Sequence, residues 1–585
     1  MKGPALPPVR YATVTEMLAA TARTGLGLTF VDASERETVL PWAEVHRRAQ
    51  RTAAGLRRVG VAVGDRVAIL LPTSPAFMDA FFGAMLAGAV PVPLYPPVRL
   101  GRLEEYHRST ARMLEVTGAA VVLTDSKVRL LLGASVEAAR PRLGCRTVEE
   151  VSRGDEALSE SVQPEALGLI QFSSGSTVEP KPVALTHAAL MAQVAALEAA
   201  SPLPPGTPPV GVSWLPLYHD MGLIGCLLSA PYYPGNMVLI PPEVFLGRPA
   251  LWLRALSRHK GFISPAPNFA YGLCLKRVKD EELQGVDLSW WKHALNGAEP
   301  VSLETLRRFS ERFERCGFSP SALRPVYGLS EASLAVTFPP GGRGPRSLHV
   351  DAEVLARELR AVEGSRALVS VGSPVAGVEL VVRNELGHEV PERRVGRVFV
   401  RGPSVMMGYY GDAEATSRAL SAEGWLDTGD LGFVADGELY LTGRAKDLVI
   451  IRGANHAPQS FEECLQAVEG VRVGCAVALG FTPEGSEDEA LLILAERAGP
   501  DVADAEVEDR IRAVVVEGTG IRPHTVRMLD PGTLPRTSSG KLRRGEALRR
   551  YLSGELKPPK KVGPVGLAVE MAKSALAFIR SGRGD

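Results

Sequence analysis

The stretch Ile170-Gln-Phe-Ser-Ser-Gly-Ser-Thr-Val-Glu-Pro-Lys-Pro-Val-Ala-Leu-Thr-His187 decides how the chain is read. A short apolar run ends in five small residues, Ser173, Ser174, Gly175, Ser176 and Thr177, and Lys181 follows them. Hydroxyls, backbone N–H groups and one cation at a tight turn suit a bound phosphate. No Gly-Lys-Ser or Gly-Lys-Thr closes the loop, so it is not a Walker loop. Taken by itself it is more simply a plain turn, because serine and glycine turn chains everywhere.

Upstream of this loop, 66–72 is a short apolar run, 75–87 has helical apolar spacing, and 90–94 is again extended. Similar apolar units recur at 119–124, 211–214, 237–240 and 261–263. That alternation predicts parallel α/β layers over roughly the first 440 residues. Downstream, β runs at 369–371, 378–382 and 397–401 are separated by Gly and Pro and predict a small barrel or sheet. The pattern restarts after 441–447. A β run (447–452), a helix (460–469), strands (473–480 and 490–496), a helix (503–519) and a strand (526–529) predict an α+β unit of about 110 residues. The tail beyond Leu556 opens with Lys557-Pro-Pro-Lys-Lys561 and continues as an amphipathic stretch over 567–579. It reads as a docked or frayed helix, with membrane-surface contact the lesser alternative.

The length of 585 residues allows about three to five domains. Lys plus Arg and Asp plus Glu both number 66, which removes any electrostatic case for nucleic acid. Cysteines 145, 226, 274, 316, 464 and 475 form no Cys-x-x-Cys pair, which argues against zinc or a disulfide framework and fits a reducing compartment. Lys2 and Arg10 stand among prolines without an apolar h-region, so no secretory signal is expected, and no apolar run nears the roughly 20 residues a bilayer span needs. A cytoplasmic protein without a transmembrane segment is expected.

Further polar clusters stand among apolar flanks. Trp214-Leu-Pro-Leu-Tyr-His-Asp-Met-Gly222 holds His219 and Asp220 where a helix should begin. Asn296-Gly-Ala-Glu299 ends a strand-like run, and Tyr327-Gly-Leu-Ser-Glu331 offers an aromatic face, a hydroxyl and a carboxylate. Trp425-Leu-Asp-Thr-Gly-Asp430 and Gly443-Arg-Ala-Lys-Asp447 bracket the junction between the two units, and Pro535-Arg-Thr-Ser-Ser-Gly-Lys541 presents a lysine from a turn. Each has a bland reading: a hydrogen-bonding core histidine, a surface turn, a solvated lysine.

In this order and spacing the chain resembles the adenylate-forming superfamily of acyl-CoA synthetases, nonribosomal peptide adenylation domains and luciferases, from about residue 12 to 551. Within it, 214–222, Pro267-Asn-Phe-Ala-Tyr271 and Gly453-Ala-Asn-His-Ala-Pro458 look most like the fatty acyl-AMP ligases. A Gly/Arg-rich loop (340–346) and a charged helix (351–363) look like the insertion that marks those ligases; a plain surface excursion would read the same. The resemblance implies an α/β fold. A large N-terminal domain (1–442) would combine layered α/β subdomains with a small β-barrel-like subdomain and carry the insertion at 340–366. A hinge (443–447) would join it to a small α+β C-terminal lid (448–555), followed by a tail (556–585).

The implied reaction joins a fatty acid to ATP, giving acyl-AMP and pyrophosphate, and then passes the acyl group to the phosphopantetheine thiol of an acyl carrier protein. By resemblance, Ser173, Ser174, Gly175, Ser176 and Thr177, with Lys181, grip the phosphates, and Glu331 and Thr177 hold Mg²⁺. Tyr327 and Gly328 lie at the adenine, whose edge is read along Gly297, Ala298 and Glu299. Ser330 lies near the α-phosphate, and Asp430 and Arg444 bind the ribose. Lys541 bridges the incoming carboxylate and the α-phosphate, while Lys446 and Asp447 serve the hinge. His219 shapes the mouth of an acyl pocket walled by Met221, Leu223, Phe269 and Ala270. Two positions depart from the common loop: Val178 stands where glycine is frequent, as in acyl-AMP ligases, and Pro182 removes a backbone donor beside Lys181. The rival readings are a fatty acyl-CoA ligase and a non-catalytic acyl- or nucleotide-binding homologue.

Overall fold

Short apolar runs rich in valine, leucine and alanine are where the sheets form. The strands Val90–Pro93, Arg66–Leu70, Ala119–Thr124 and Cys145–Thr147 lie side by side in that order, all parallel. Helix Pro75–Leu86 packs on the Arg66–Leu70 and Val90–Pro93 strands and helix Leu103–Thr117 on Ala119–Thr124, which is buried along its whole length, as a parallel sheet covered on both faces requires. The computed structural model describes all residues except 98–99, 174–179, 204–207, 466–467, 484–485, 487, 500–502, 538–539, 561–562 and 582–585.

A second sheet has seven strands, in the order Leu323–Pro325, His293–Asn296, Ile263–Ala266, Val210–Ser213, Asn236–Leu239, Gly27–Val31 and Glu37–Pro41. All of its pairings are parallel except the last. The first four strands end, at their carboxyl ends, in the segments that begin at Val326, Gly297, Pro267 and Trp214. Loops after the carboxyl ends of parallel strands converge on one crevice, which is how residues more than a hundred positions apart come together.

The hairpin Leu167–Phe172 and Pro182–Thr186 is antiparallel and is extended by Gly408–Tyr409. Four antiparallel strands, Glu379–Arg383, Gly396–Arg401, Leu426–Ala435 and Glu438–Arg444, make a small open sheet that takes in the predicted runs at 378–382 and 397–401 and sets Asp430 opposite Arg444, whereas the run at 369–371 lies at the end of Arg366–Val369 in a separate pair of strands. Beside it, Ser347–Val350 pairs with Arg366–Val369 around a helix, Ala352–Glu358, capped by the Asp351 carboxylate, which accepts from the Glu353 and Val354 N–H groups. That helix is shorter than the expected 351–363 because Leu359 turns left-handed at φ 53°. It packs against the strand Ala454–His456.

Near the C-terminus, Val471–Phe481, Ala490–Arg497 and Thr525–Leu529 form a three-stranded sheet under helices Pro458–Cys464 and Asp504–Thr519. Its core is separate from that of the larger sheets and centres on Phe461, Ile493, Ile511 and Val526. The amphipathic tail is a helix, Pro564–Ser581, docked on the helix Gly133–Ala139.

Candidate active site

A cavity of about 1630 Å³ opens where the loops of the seven-stranded sheet, the small antiparallel sheet and the C-terminal unit meet. One side of it is built around Asp430. The Tyr327 hydroxyl donates to Asp430 Oδ2 at 2.7 Å, and Arg444 Nε donates to Asp430 Oδ1 at 3.0 Å. Burial and the neighbouring Asp430 charge keep the Tyr327 phenol protonated. The Asp430 carboxylate in turn pushes Arg444 above its ordinary value. Gly328 permits this geometry: a Cβ there would stand 1.7 Å from the Leu334 carbonyl oxygen.

Gly297, Ala298 and Glu299 line the same space after their strand. Ala298 holds φ at 70°, unusual for a residue with a Cβ, and the Glu299 carboxylate turns back to accept from the Phe269 N–H at 2.5 Å. Burial raises the Glu299 pKa, with Lys541 and Arg536 opposing. The Glu331 carboxylate is likewise pushed up by burial and accepts from the Tyr409 hydroxyl at 3.0 Å.

The polar centre is Asp220, which is only 7 % exposed. His219 caps the turn Asp220–Gly222 and sets its Nδ1 2.6 Å from Asp220 Oδ1. Ser330 Oγ donates to Asp220 Oδ2 at 2.5 Å, across 110 residues of sequence. Burial alone would raise the Asp220 pKa, but His219, Ser330 and Lys541 outweigh it and hold the carboxyl well below the usual range. Lys541, half-buried on its loop from the C-terminal unit, faces the same cavity. Burial lowers its pKa, and the charges of Asp220, Glu299 and Asp430 pull it partly back.

At the neck of the Ser/Gly loop, Ser173 is buried and its N–H donates to the Lys181 carbonyl at 2.9 Å, closing the hairpin. Ser174, Gly175, Ser176 and Thr177 lie outside the described residues. Pro182 is the first residue of its strand, opposite Phe172, a place where a missing N–H is tolerated, and its carbonyl accepts from the Tyr410 N–H at 2.8 Å. Lys181 lines the cavity with its ammonium 4.4 Å from the Tyr409 ring centre.

Lys446 and Asp447 line the cavity's edge. Arg544, three residues after Lys541, lies 3.7 Å from Asp447 and bridges to Glu462 with Nε 2.9 Å from Oε1. Burial, followed by the Arg444 charge, lowers the Lys446 pKa.

The apolar arm runs past Trp214, Met221, Gly225, Phe269 and Leu273. Leu223 and Ala270, expected in its wall, are fully buried in the core and do not line the cavity. Ala270 follows Phe269 in the helix Asn268–Arg277, and a helical step of about 100° turns it from the cavity into the core. Leu223 opens a π-helical segment, Leu223–Leu228, whose wider turn presents Gly225 and Cys226 instead. Sequence reasoning gave no role to Asp220, Tyr409 or Arg536. The signal for Asp220 was present: a carboxylate inside an apolar segment needs a partner. Nothing local marks Tyr409.

Comparison with known proteins places this cavity in context. The family model described as AMP-binding enzyme matches residues 19–410. A Caulobacter vibrioides relative that carries the provisional name acyl-CoA synthetase is 37% identical over 560 residues, covering 93% of this chain and 97% of its own. The long-chain-fatty-acid–AMP ligase FadD26 of Mycobacterium marinum is 36% identical over 549 residues, covering 88% and 91%. A solved structure from work on fatty acyl-adenylate ligases of E. coli and L. pneumophila superposes with a TM-score of 0.87 at 33% identity, over 94% of this chain and 99% of that one.

Proposed function

The chain belongs to the AMP-binding enzyme family, and on that footing we propose that it is an ATP-dependent fatty acyl-AMP ligase. The carboxylate oxygen of a fatty acid attacks the α-phosphorus of ATP, the bond to pyrophosphate breaks, and acyl-AMP forms. The phosphopantetheine thiol of an acyl carrier protein then attacks the acyl carbonyl, and AMP leaves. One observation carries the reading: Lys541, from the small C-terminal unit, shares a cavity with the Asp220–Ser330 and Tyr327–Asp430–Arg444 clusters and with an apolar arm.

A carboxylate attacking an anionic phosphorus gains most from positioning and positive charge. In this reading Lys541 supplies the charge, and Asp220 holds both Lys541 and the Ser330 hydroxyl in place. Asp430 accepts from the ribose hydroxyls, Arg444 steadies it, and Tyr327 flanks the adenine. Ser173 to Thr177 and Lys181 take the outer phosphates, His219 and Met221 guide the acid, and Phe269 walls its chain. Glu331 fits a divalent cation, because burial leaves its carboxylate with too little compensating charge. With Thr177 it would hold Mg²⁺, whose contribution is neutralisation of phosphate charge.

The boundaries follow the same reading: an adenylating domain to residue 442, a hinge at 443–447 and a lid over 448–555. The helix Ala352–Glu358 supports the carrier-protein branch over a CoA ligase, because it braces the strand Ala454–His456 while Lys541 faces the cavity. The experiment supplies fatty acid, MgATP and either CoA or a phosphopantetheinylated carrier protein, and follows the thioester by mass spectrometry. Acyl-carrier thioester without acyl-CoA is expected, and rapid acyl-CoA formation would overturn the branch. Lys541→Ala should slow pyrophosphate exchange by roughly 10²–10³, the cost of one electrostatic stabiliser; wild-type exchange would overturn its role.

A further inference from the structure

The C-terminal helix Pro564–Ser581 turns Met571 and Phe578 toward the protein and leaves a second, aliphatic line facing outward. It docks on the helix Gly133–Ala139 by a narrow face on which Ser574 and Ala577 are buried. The Ser574 hydroxyl oxygen accepts from the Gly133 N–H at 2.8 Å, and Arg129 sits 5.5 Å from the Phe578 ring centre. The other side carries Val565, Val569, Ala572, Leu576 and Ile579, spaced four, three, four and three, which is one continuous line along a helix. Val565 is 79% exposed, Leu576 54% and Ile579 52%. Single exposed apolar residues are ordinary, but an unbroken exposed line marks a contact surface.

Charge selects what that surface meets. The whole chain balances, yet residues 556–585 hold six Lys or Arg against two acids. Lys560, Lys573 and Arg580 lie exposed on the tail, and their surface pairings with Glu104, Glu570 and Glu137 are weak restraints. A helix about 27 Å long offers a line burying roughly 300–400 Å² per partner, about half of what a stable dimer needs. Two such basic tails would also repel each other. We propose that this helix is an in-plane anchor that lays its apolar line into an anionic lipid bilayer, with the basic residues at the headgroups. Among the described residues no helix is long and apolar enough to cross a membrane, so the contact is peripheral. The proposal holds whichever acid the cavity activates.

The test is co-sedimentation of the full chain with phosphatidylcholine vesicles, with and without phosphatidylglycerol. The wild-type protein should bind the phosphatidylglycerol vesicles at least about tenfold better, and added salt should weaken that binding. Leu576→Asp with Ile579→Asp should abolish binding while leaving Tm unchanged, since both side chains face outward. No binding by the wild type, or equal binding by the double variant, would overturn the anchor. A wild-type dimer in solution that the double variant converts to monomer, without lipid binding, would assign the face to a second copy instead.

Discussion

Replacing Asp220 by asparagine keeps the side chain's shape and removes its charge, so it isolates what the carboxylate does. The carboxylate accepts from Ser330 Oγ at 2.5 Å, contacts His219 Nδ1 at 2.6 Å and faces the Lys541 ammonium. Hydrogen bonds to a charged group contribute about 1.5–3 kcal/mol each. The asparagine oxygen can still accept one of them, so the low end applies to both, about 3 kcal/mol in all, or a rate loss near 10². The loss should fall on kcat for adenylation and leave the KM for ATP nearly unchanged, because the Tyr327–Asp430–Arg444 cluster, the proposed ribose site, is intact. A pH profile adds a second readout. In the proposed mechanism Lys541 must be protonated to neutralise the developing charge, and burial already depresses its pKa while Asp220 pulls it up. Activity therefore falls as pH rises through that depressed value, and Asp220→Asn moves this alkaline limb to still lower pH. A variant with kcat within about threefold of wild type, or an alkaline limb that stays put, would refute the assignment.

Asp430→Asn weakens the contacts from Tyr327 and Arg444 and should raise the KM for ATP about tenfold with a smaller effect on kcat, read from initial rates. Gly328→Ala forces a Cβ to 1.7 Å from the Leu334 carbonyl oxygen, a backbone atom that cannot step aside, and should cost about 2 kcal/mol or more, seen as a lower Tm. Gly133→Ala would place a Cβ 2.1 Å from the Ser574 carbonyl oxygen and should dislodge the C-terminal helix, seen as faster tryptic cleavage in the tail with unchanged pyrophosphate exchange. At low pH, Asp220 supplies stability that is fully present above about pH 4 and lost only as pH falls through its depressed value, so Asp220→Asn should flatten the acid limb of Tm against pH.

The strands were legible because burial on both faces leaves a plain trace: the apolar runs at 66–72 and 119–124 match Arg66–Leu70 and Ala119–Thr124 closely. The motifs were legible as an ordered set, since parallel strands deliver the segments after their carboxyl ends to one crevice whatever their separation in sequence. Facing was not legible. Phe269 and Ala270 are neighbours in the chain, yet one lines the cavity and the other lies in the core, because a helix turns about 100° per residue. Nor was the partner of Asp220, which arrives from 110 residues away through a contact between two sheet ends. Pro182 shows the limit of a local rule, since a missing N–H matters only where the fold needs that donor. A proline costs a sheet only the hydrogen bond its N–H would have made, and at the first residue of Pro182–Thr186 that bond is not required. The neck is closed one residue earlier by the Ser173 N–H on the Lys181 carbonyl, which leaves the Lys181 side chain turned to Tyr409 and the cavity. Lys181 is therefore held at the cavity wall against Tyr409, with Pro182 locking φ beside it.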